Sequence, residues 1–201
     1  APTVAPTISI NLEGLVEPLC EATHPYCYAQ CTCYDGYYGS DCSLTESEFN
    51  DVVGLRDTLC MNLNSTREMQ DIDLDVVTSR ATVISDILLD LGSTSDSALT
   101  MCTEVLVSMV LESPDLMGNP ATVDLVSLAL SNVLAKGAAL DSTILVDVEE
   151  ALSSLTIAAQ SNLAVGETAL AVVTDTVKMN VAVGTSSSLG SQNFTVPQTD
   201  F

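Results

Sequence analysis

The chain has no tryptophan, a single histidine and only five basic residues against 27 acidic ones, and each shortage excludes a class of function. With His24 alone, neither a histidine-based catalytic triad nor a multi-histidine metal site can be assembled. Its reading is a surface residue. No Gly-x-Ser-x-Gly elbow and no phosphate-binding glycine loop occurs anywhere in the 201 residues, which removes the commonest hydrolase and nucleotide-binding signatures. A formal net charge of -22 repels both nucleic acid and anionic membrane surfaces. The longest uncharged run, Ala151 to Gly166, has 16 residues and includes Ser, Gln and Asn, too short and too polar to span a bilayer. The opening APTVAPTISI lacks a basic flank and an apolar signal core, and reads as the start of an excised piece. These absences make the expected protein a soluble non-enzyme with no cofactor, no metal, no nucleic-acid partner and no membrane insertion of its own.

What is present is core-forming material. At 47% apolar and 16% charged residues, the chain can bury a real core of one or two domains. Seven cysteines crowd toward the N-terminal half, and Asn64-Ser65-Thr66 and Asn193-Phe194-Thr195 are acceptor sequences for N-linked glycans. Together they point to an oxidising, secretory route and an extracellular or cell-surface location.

The stretch CTCYDGYYGSDC, Cys31 to Cys42, has the spacing of a two-stranded hairpin stapled back to its base, with Gly36 and Gly39 supplying turn conformations. It resembles the C-terminal half of an EGF-like module, in which glycine, an aromatic and a second glycine lie between the last two half-cystines. Cys20 and Cys27 then fall where the second and third cysteines of that module would be, and the usual first cysteine is missing. The resemblance implies the pairs Cys33 with Cys42 and Cys20 with Cys31. Cys27 is left over, which leaves three readings open: a cysteine upstream of residue 1, an irregular internal pairing, or a bridge to another chain. The calcium-binding form of the family needs acidic residues ahead of its first cysteine, a region absent here.

All five tyrosines, Tyr26, Tyr28, Tyr34, Tyr37 and Tyr38, sit in this short segment, too many for so small a module to bury. One reading packs Tyr37 in the hairpin and lays the rest over disulfides. The other turns Tyr26, Tyr28, Tyr34 and Tyr38 outward as rigid contact surface for a protein or glycan partner.

Beyond Cys42 the periodicity becomes helical. Thr45-x-x-Glu48 is a capping box, and Phe49, Val52, Val53, Leu59, Cys60 and Leu63 predict a helix over about 45–63. A second helix carries Val76, Val77, Val83, Ile84, Ile87, Leu88 and Leu91 on one face and should end at Gly92 as its C-cap. A third begins near Asp96, points Met101, Cys102, Val105, Leu106, Met109 and Val110 inward, and stops before Pro114. A fourth starts at Asn119-Pro120 and stops at Gly137, and a fifth places Leu145, Val148, Leu152, Leu155, Ala159 and Leu163 at three-and-four spacing. Cys60 and Cys102 both fall on inward faces, which predicts a disulfide between the first and third helices; the alternative is two buried free thiols. Asp71-x-Asp73-x-Asp75 looks like the start of a calcium loop, but Val76 and Thr82 stand where its glycine and glutamate belong, so it reads as an acidic helix start. Glu149 and Glu150 are adjacent on a helix and do not converge.

After Gly166 the period falls to two. Val177, Met179, Val181 and Val183 alternate with Lys178, Asn180 and Ala182 as a half-buried strand, preceded by an extended piece at 169–174 and followed by NFTVP. The expected architecture is mostly α. An extended Pro/Thr linker or strand (1–19) leads to the EGF-like module (20–42) and an antiparallel array of about five helices (43–166). Two or three strands (167–201) end the chain and need completion from outside it or from a neighbouring subunit.

A helical array followed by strands reading VVTDTVKMNVAV and NFTVP resembles the GAIN-type region of adhesion receptors and polycystin-like proteins. The self-cleavage motif of that region has no counterpart after residue 43, so cleavage is not implied. An EGF-like module joined to an acidic helical segment is also similar to the fibre proteins of flagellar hairs (mastigonemes). The expected function is therefore a structural or adhesive glycoprotein segment of an extracellular fibre or coat, assembling with copies of itself or other subunits, with glycans as further partners. The alternative is the ectodomain of a polycystin-like or adhesion-type membrane receptor.

Overall fold

The computed structural model describes residues 6–7, 30–31, 33–67, 72–136 and 140–185. The chain divides into two compact units, residues 1–53 with 201, and 54–200, the division falling inside a helix.

In the first unit, β1 (Pro6–Thr7) pairs antiparallel with β2 (Gln30–Cys31). Downstream, Gly36 and Gly39 both have left-handed backbones, φ 87° and 91°, which a side chain would oppose. Around Gly36 the chain closes a tight turn in which the Tyr37 amide donates to the Tyr34 carbonyl at 3.0 Å. β3 (Tyr37–Tyr38) then pairs with β4 (Leu44–Thr45), Tyr37 opposite Thr45 and Tyr38 opposite Leu44. The second strand of this hairpin thus lies beyond Cys42, not between Cys31 and Cys42. The excursion between the two strands is closed by the Cys33–Cys42 disulfide, with Cα atoms 5.2 Å apart.

Helix α1 (Glu46–Ser65) opens on the reciprocal cap that its first residues encode. The Thr45 amide and hydroxyl both donate to Glu48 Oε2, at 2.9 and 2.8 Å, and the Glu48 amide returns to Thr45 Oγ1 at 3.4 Å. Receiving the Thr45 amide first and its hydroxyl second, the Glu48 carboxyl is held below its ordinary value. Of the apolar face expected on this helix Cys60 is buried, Phe49, Val52, Val53 and Leu63 are half-buried, and Leu59 is exposed. The stripe is covered only in part, and from Arg56 onward, within the second unit, polar groups and one disulfide hold the helix.

The second unit continues with α2 (Leu74–Leu89), α3 (Asp96–Glu112), α4 (Pro120–Ala135) and α5 (Ser142–Asn162). Each begins with an oxygen-bearing N-cap. Asp73, Ser95, Asn119 and Asp141 accept from the amides of Val76, Ala98, Ala121 and Thr143. Asp73 and Asp75 thereby take the role of an acidic helix start, while Asp71 lies outside the described residues. The Asp141 carboxyl is held below its ordinary value chiefly by the Thr143 amide, then by the Thr143 hydroxyl.

Gly92 is not the cap of α2. The helix ends at Leu89 with Asp90 as its C-cap, and Gly92 sits in a following 3-10 turn over 91–93. Its terminal carbonyls are satisfied from outside the helix: Thr94 Oγ1 donates to the Ile87 and Asp90 carbonyls at 3.0 Å each, and the Arg56 guanidinium to the Asp90 carbonyl at 2.6 Å. A cation at a helix C-terminus also meets the negative end of the dipole. Helix α4 ends at Ala135, and Gly137 lies outside the described residues.

The core these helices share is aliphatic and thioether, with Ile84, Leu88, Leu99, Leu106, Met109 and Leu130 among its fully buried members. Helix α2 packs most closely on α4, and α3 on α5, so the principal pairs are two apart in sequence. Between α3 and α4 the backbone of Gly118 passes against α5. A Cβ there would stand 1.6 Å from Asn162 Nδ2 and 2.9 Å from the Ala158 carbonyl. β5 (Leu170–Val173) and β6 (Lys178–Val181) form an antiparallel hairpin whose Val172, Met179 and Val181 join the core while Lys178 and Asn180 face out. Its turn is tied to α4, with Thr176 Oγ1 donating to the Ser131 carbonyl at 3.0 Å and the Thr176 amide to Ser131 Oγ at 3.2 Å. The NFTVP segment lies outside the described residues.

Candidate functional site

The chemistry of the first unit is concentrated in the loop closed by Cys33 and Cys42. Cys42 is buried with a left-handed backbone of φ 58°, so the staple forms the floor of the loop. Tyr34 is 58% exposed and Tyr37 39% exposed, and both project from this closed frame. Tyr38, next in line, is 36% exposed and also lies against Phe49 of α1, with ring centroids 5.2 Å apart and planes inclined by 27°. Tyr37 is thus not the buried aromatic of the hairpin; Tyr38 is the ring with an aromatic partner, because successive strand residues point to opposite faces. Phe49 is the one aromatic of the helical segment, and that singularity is the sequence signal that marks it. The rim is acidic. Asp41 accepts from the Ser43 hydroxyl at 2.8 Å and the Ser43 amide at 3.1 Å, which hold its carboxyl below the ordinary range in that order.

A second cluster ties α1 to the α2–α3 connection. The Arg56 guanidinium donates to Thr94 Oγ1 at 3.2 Å and to Ser93 Oγ, and lies 3.9 Å from Asp90 Oδ2. Ser95, the N-cap of α3, donates to Asp57. One turn further along α1, Cys60 is joined to Cys102, both fully buried. This is a structural clamp, holding a helix that buries little apolar surface of its own.

Comparison with protein families, with curated proteins and with solved structures finds no match.

The remaining sequence-predicted residues divide by where they lie. Cys20, His24, Tyr26, Cys27, Tyr28 and Asn193 fall outside the described residues, and Cys31 is described only as a member of β2. Asn64 is half-buried in the last turn of α1; the hydroxyls of Ser65 and Thr66 turn back to the Asn62 and Leu63 carbonyls at 2.9 and 3.1 Å. Glu149 and Glu150 are exposed. Among the described residues no group of three or more His, Cys, Asp or Glu is placed to hold a metal ion, and no helix is long and apolar enough to cross a membrane. The two disulfides fit an oxidising, extracellular environment.

Proposed function

We propose that this chain is a non-catalytic segment of an extracellular fibre or coat, in which the disulfide-closed N-terminal loop acts as a docking knob on an aliphatic helical shaft. The observation that carries the reading is the pair of exposed rings, Tyr34 and Tyr37, on a loop held by the Cys33–Cys42 staple. Tyrosine on a rigid frame offers apolar area and a hydrogen-bonding tip at small entropic cost, the combination a protein or glycan contact uses. The resemblance to an EGF-like module supports the same role, and the similarity to flagellar-hair proteins supports a fibre as its setting. On this reading the strands after Gly166 are the subunit joint, Cys27 is the candidate link to a neighbouring chain, and glycans on Asn64 and Asn193 keep the assembly soluble.

The receptor alternative draws on a different observation. The β5–β6 hairpin follows the helices directly and packs its Val172, Met179 and Val181 into their core, an order like that of the GAIN-type region.

Disulfide mapping by mass spectrometry on unreduced protein from its native source tests the proposal through the peptide containing Cys27. A bridge to a second chain, with assembly weakened by Cys27→Ser or Tyr34→Ser in a folded monomer, is the expected result. A bridge within the chain or to an upstream cysteine would remove the covalent link and favour the ectodomain.

A further inference from the structure

Helices α3 and α5 leave a groove between them that the docking knob does not involve. One part, of about 420 Å³, lies between residues 104–112 of α3 and 143–147 of α5. A second, of about 800 Å³, lies between Leu111, the 3-10 turn at 114–116 and residues 150–162 of α5. Leu111 borders both, and residues 104–112 face 143–147 while 111–115 face 150–162, so α3 and α5 run in the same sense. From Thr143 to Ser161 the groove extends about 27 Å at the helical rise per residue, enough for some five turns of a docked helix.

Its lining sets the apolar side chains of Val107, Leu111, Ile144 and Ile157, the last 61% exposed, among the small polar ones of Ser108, Ser153, Ser154 and Ser161. Its walls carry Glu104, Glu112, Asp115, Asp147 and Glu150, all exposed. None of these five carboxylates forms a hydrogen bond or ion pair with another described residue. Arg67 stands at one end as the single cation of the lining.

We infer that this groove docks a cationic amphipathic helix supplied by a different protein. The side chains of Val107, Leu111, Ile144 and Ile157 meet its apolar face, and the carboxylates on either side face the lysines or arginines that flank it. A second copy of this chain cannot supply such a segment. Its basic residues are Arg56, Arg67, Arg80, Lys136 and Lys178, no two closer in sequence than the first pair, too sparse for one cationic helix. The inference stands apart from the N-terminal knob, which contributes no residue to the groove.

The test uses two synthetic 18-residue helical peptides with the same lysines. One carries leucines on the opposite face, and in the other serines replace them. Binding to the full chain is measured by fluorescence anisotropy at physiological salt. The leucine peptide is expected to bind the native chain. The triple variant Glu112→Gln/Asp147→Asn/Glu150→Gln should weaken it about tenfold, the sum of three modest ion pairs. The control Asp75→Asn/Asp86→Asn/Asp124→Asn removes the same charge from exposed sites on α2 and α4 and should change it less than about twofold, because distant charges are screened. Ile157→Ser should also weaken binding, while all variants keep the native melting profile.

Equal weakening by the two triple variants, or equal affinity for the serine peptide, would reduce the effect to bulk charge attraction and overturn the assignment. So would failure of the leucine peptide to bind.

Discussion

At the scale of single residues, the structure turns on positions where one atom more or less matters. Gly118 is the clearest. Its backbone runs so close to α5 that an alanine Cβ would meet both the Asn162 amide and the Ala158 carbonyl. The amide can swing away, but the carbonyl belongs to a helix backbone and cannot, so the chain must shift. Gly118→Ala should therefore destabilise the protein by about 1–3 kcal/mol, the usual cost of overpacking, readable as a lower midpoint in urea or thermal unfolding. An unchanged midpoint would mean that α5 and the 114–119 turn separate freely. Arg56 matters in a different way: one guanidinium joins the Ser93 amide and the Thr94 hydroxyl at the Asp90 carbonyl and meets two neighbouring hydroxyls, where local reading assigned a glycine cap to Gly92.

At the scale of elements, α1 and α3 form a contrast. In α3, nine of 17 residues are buried; in α1, one of 20 is. The packed face of an amphipathic helix normally supplies most of its stability, so α1 must rely on the Arg56 and Asp57 contacts and on the Cys60–Cys102 bond. That bond closes a loop of sequence separation 42, for which the chain-entropy model gives about 4 kcal/mol. The double variant Cys60→Ala/Cys102→Ala should lose stability of that order and speed amide hydrogen exchange in residues 57–65 more than in α3 to α5. Undiminished protection of α1 would show that the polar clamp alone is sufficient. The β5–β6 hairpin is the converse case, since half its side chains complete the helical core while the turn is bonded to Ser131.

At the scale of the whole molecule, charge is the dominant feature. With 27 acidic and five basic residues, most carboxylates have no cation within reach, and their mutual repulsion opposes compaction. Added salt shortens the range of that repulsion, from a Debye length of about 30 Å at 0.01 M to about 8 Å at 0.15 M. The unfolding temperature should accordingly rise between those ionic strengths at neutral pH, a result checked by calorimetry in sodium chloride. A fall would mean that ion pairs such as Arg56–Asp90 outweigh the repulsion. The same surplus of acid makes cationic partners the natural ones for the helical surface.

What the amino-acid sequence determined by itself was local. The N-caps at Asp73 and Asn119, the Thr45–Glu48 box and the start of α4 at Pro120 are short-range patterns whose bonding partners lie within a few residues. The alternation of Val177, Met179 and Val181 against Lys178 and Asn180 belongs with them, because a strand has period two wherever it lies. The inward faces of Cys60 and Cys102 were legible from helical spacing. What only the tertiary structure decided depends on contacts between distant segments. The Asp90 carbonyl at the end of α2 receives Arg56 from more than thirty positions upstream, and the exposure of Leu59 followed from how little of α1 meets other elements. Tyr38 found its ring partner in a helix rather than in its own hairpin. The groove between α3 and α5 exists because helices two apart in the chain lie side by side, and no periodicity within either helix encodes its neighbour.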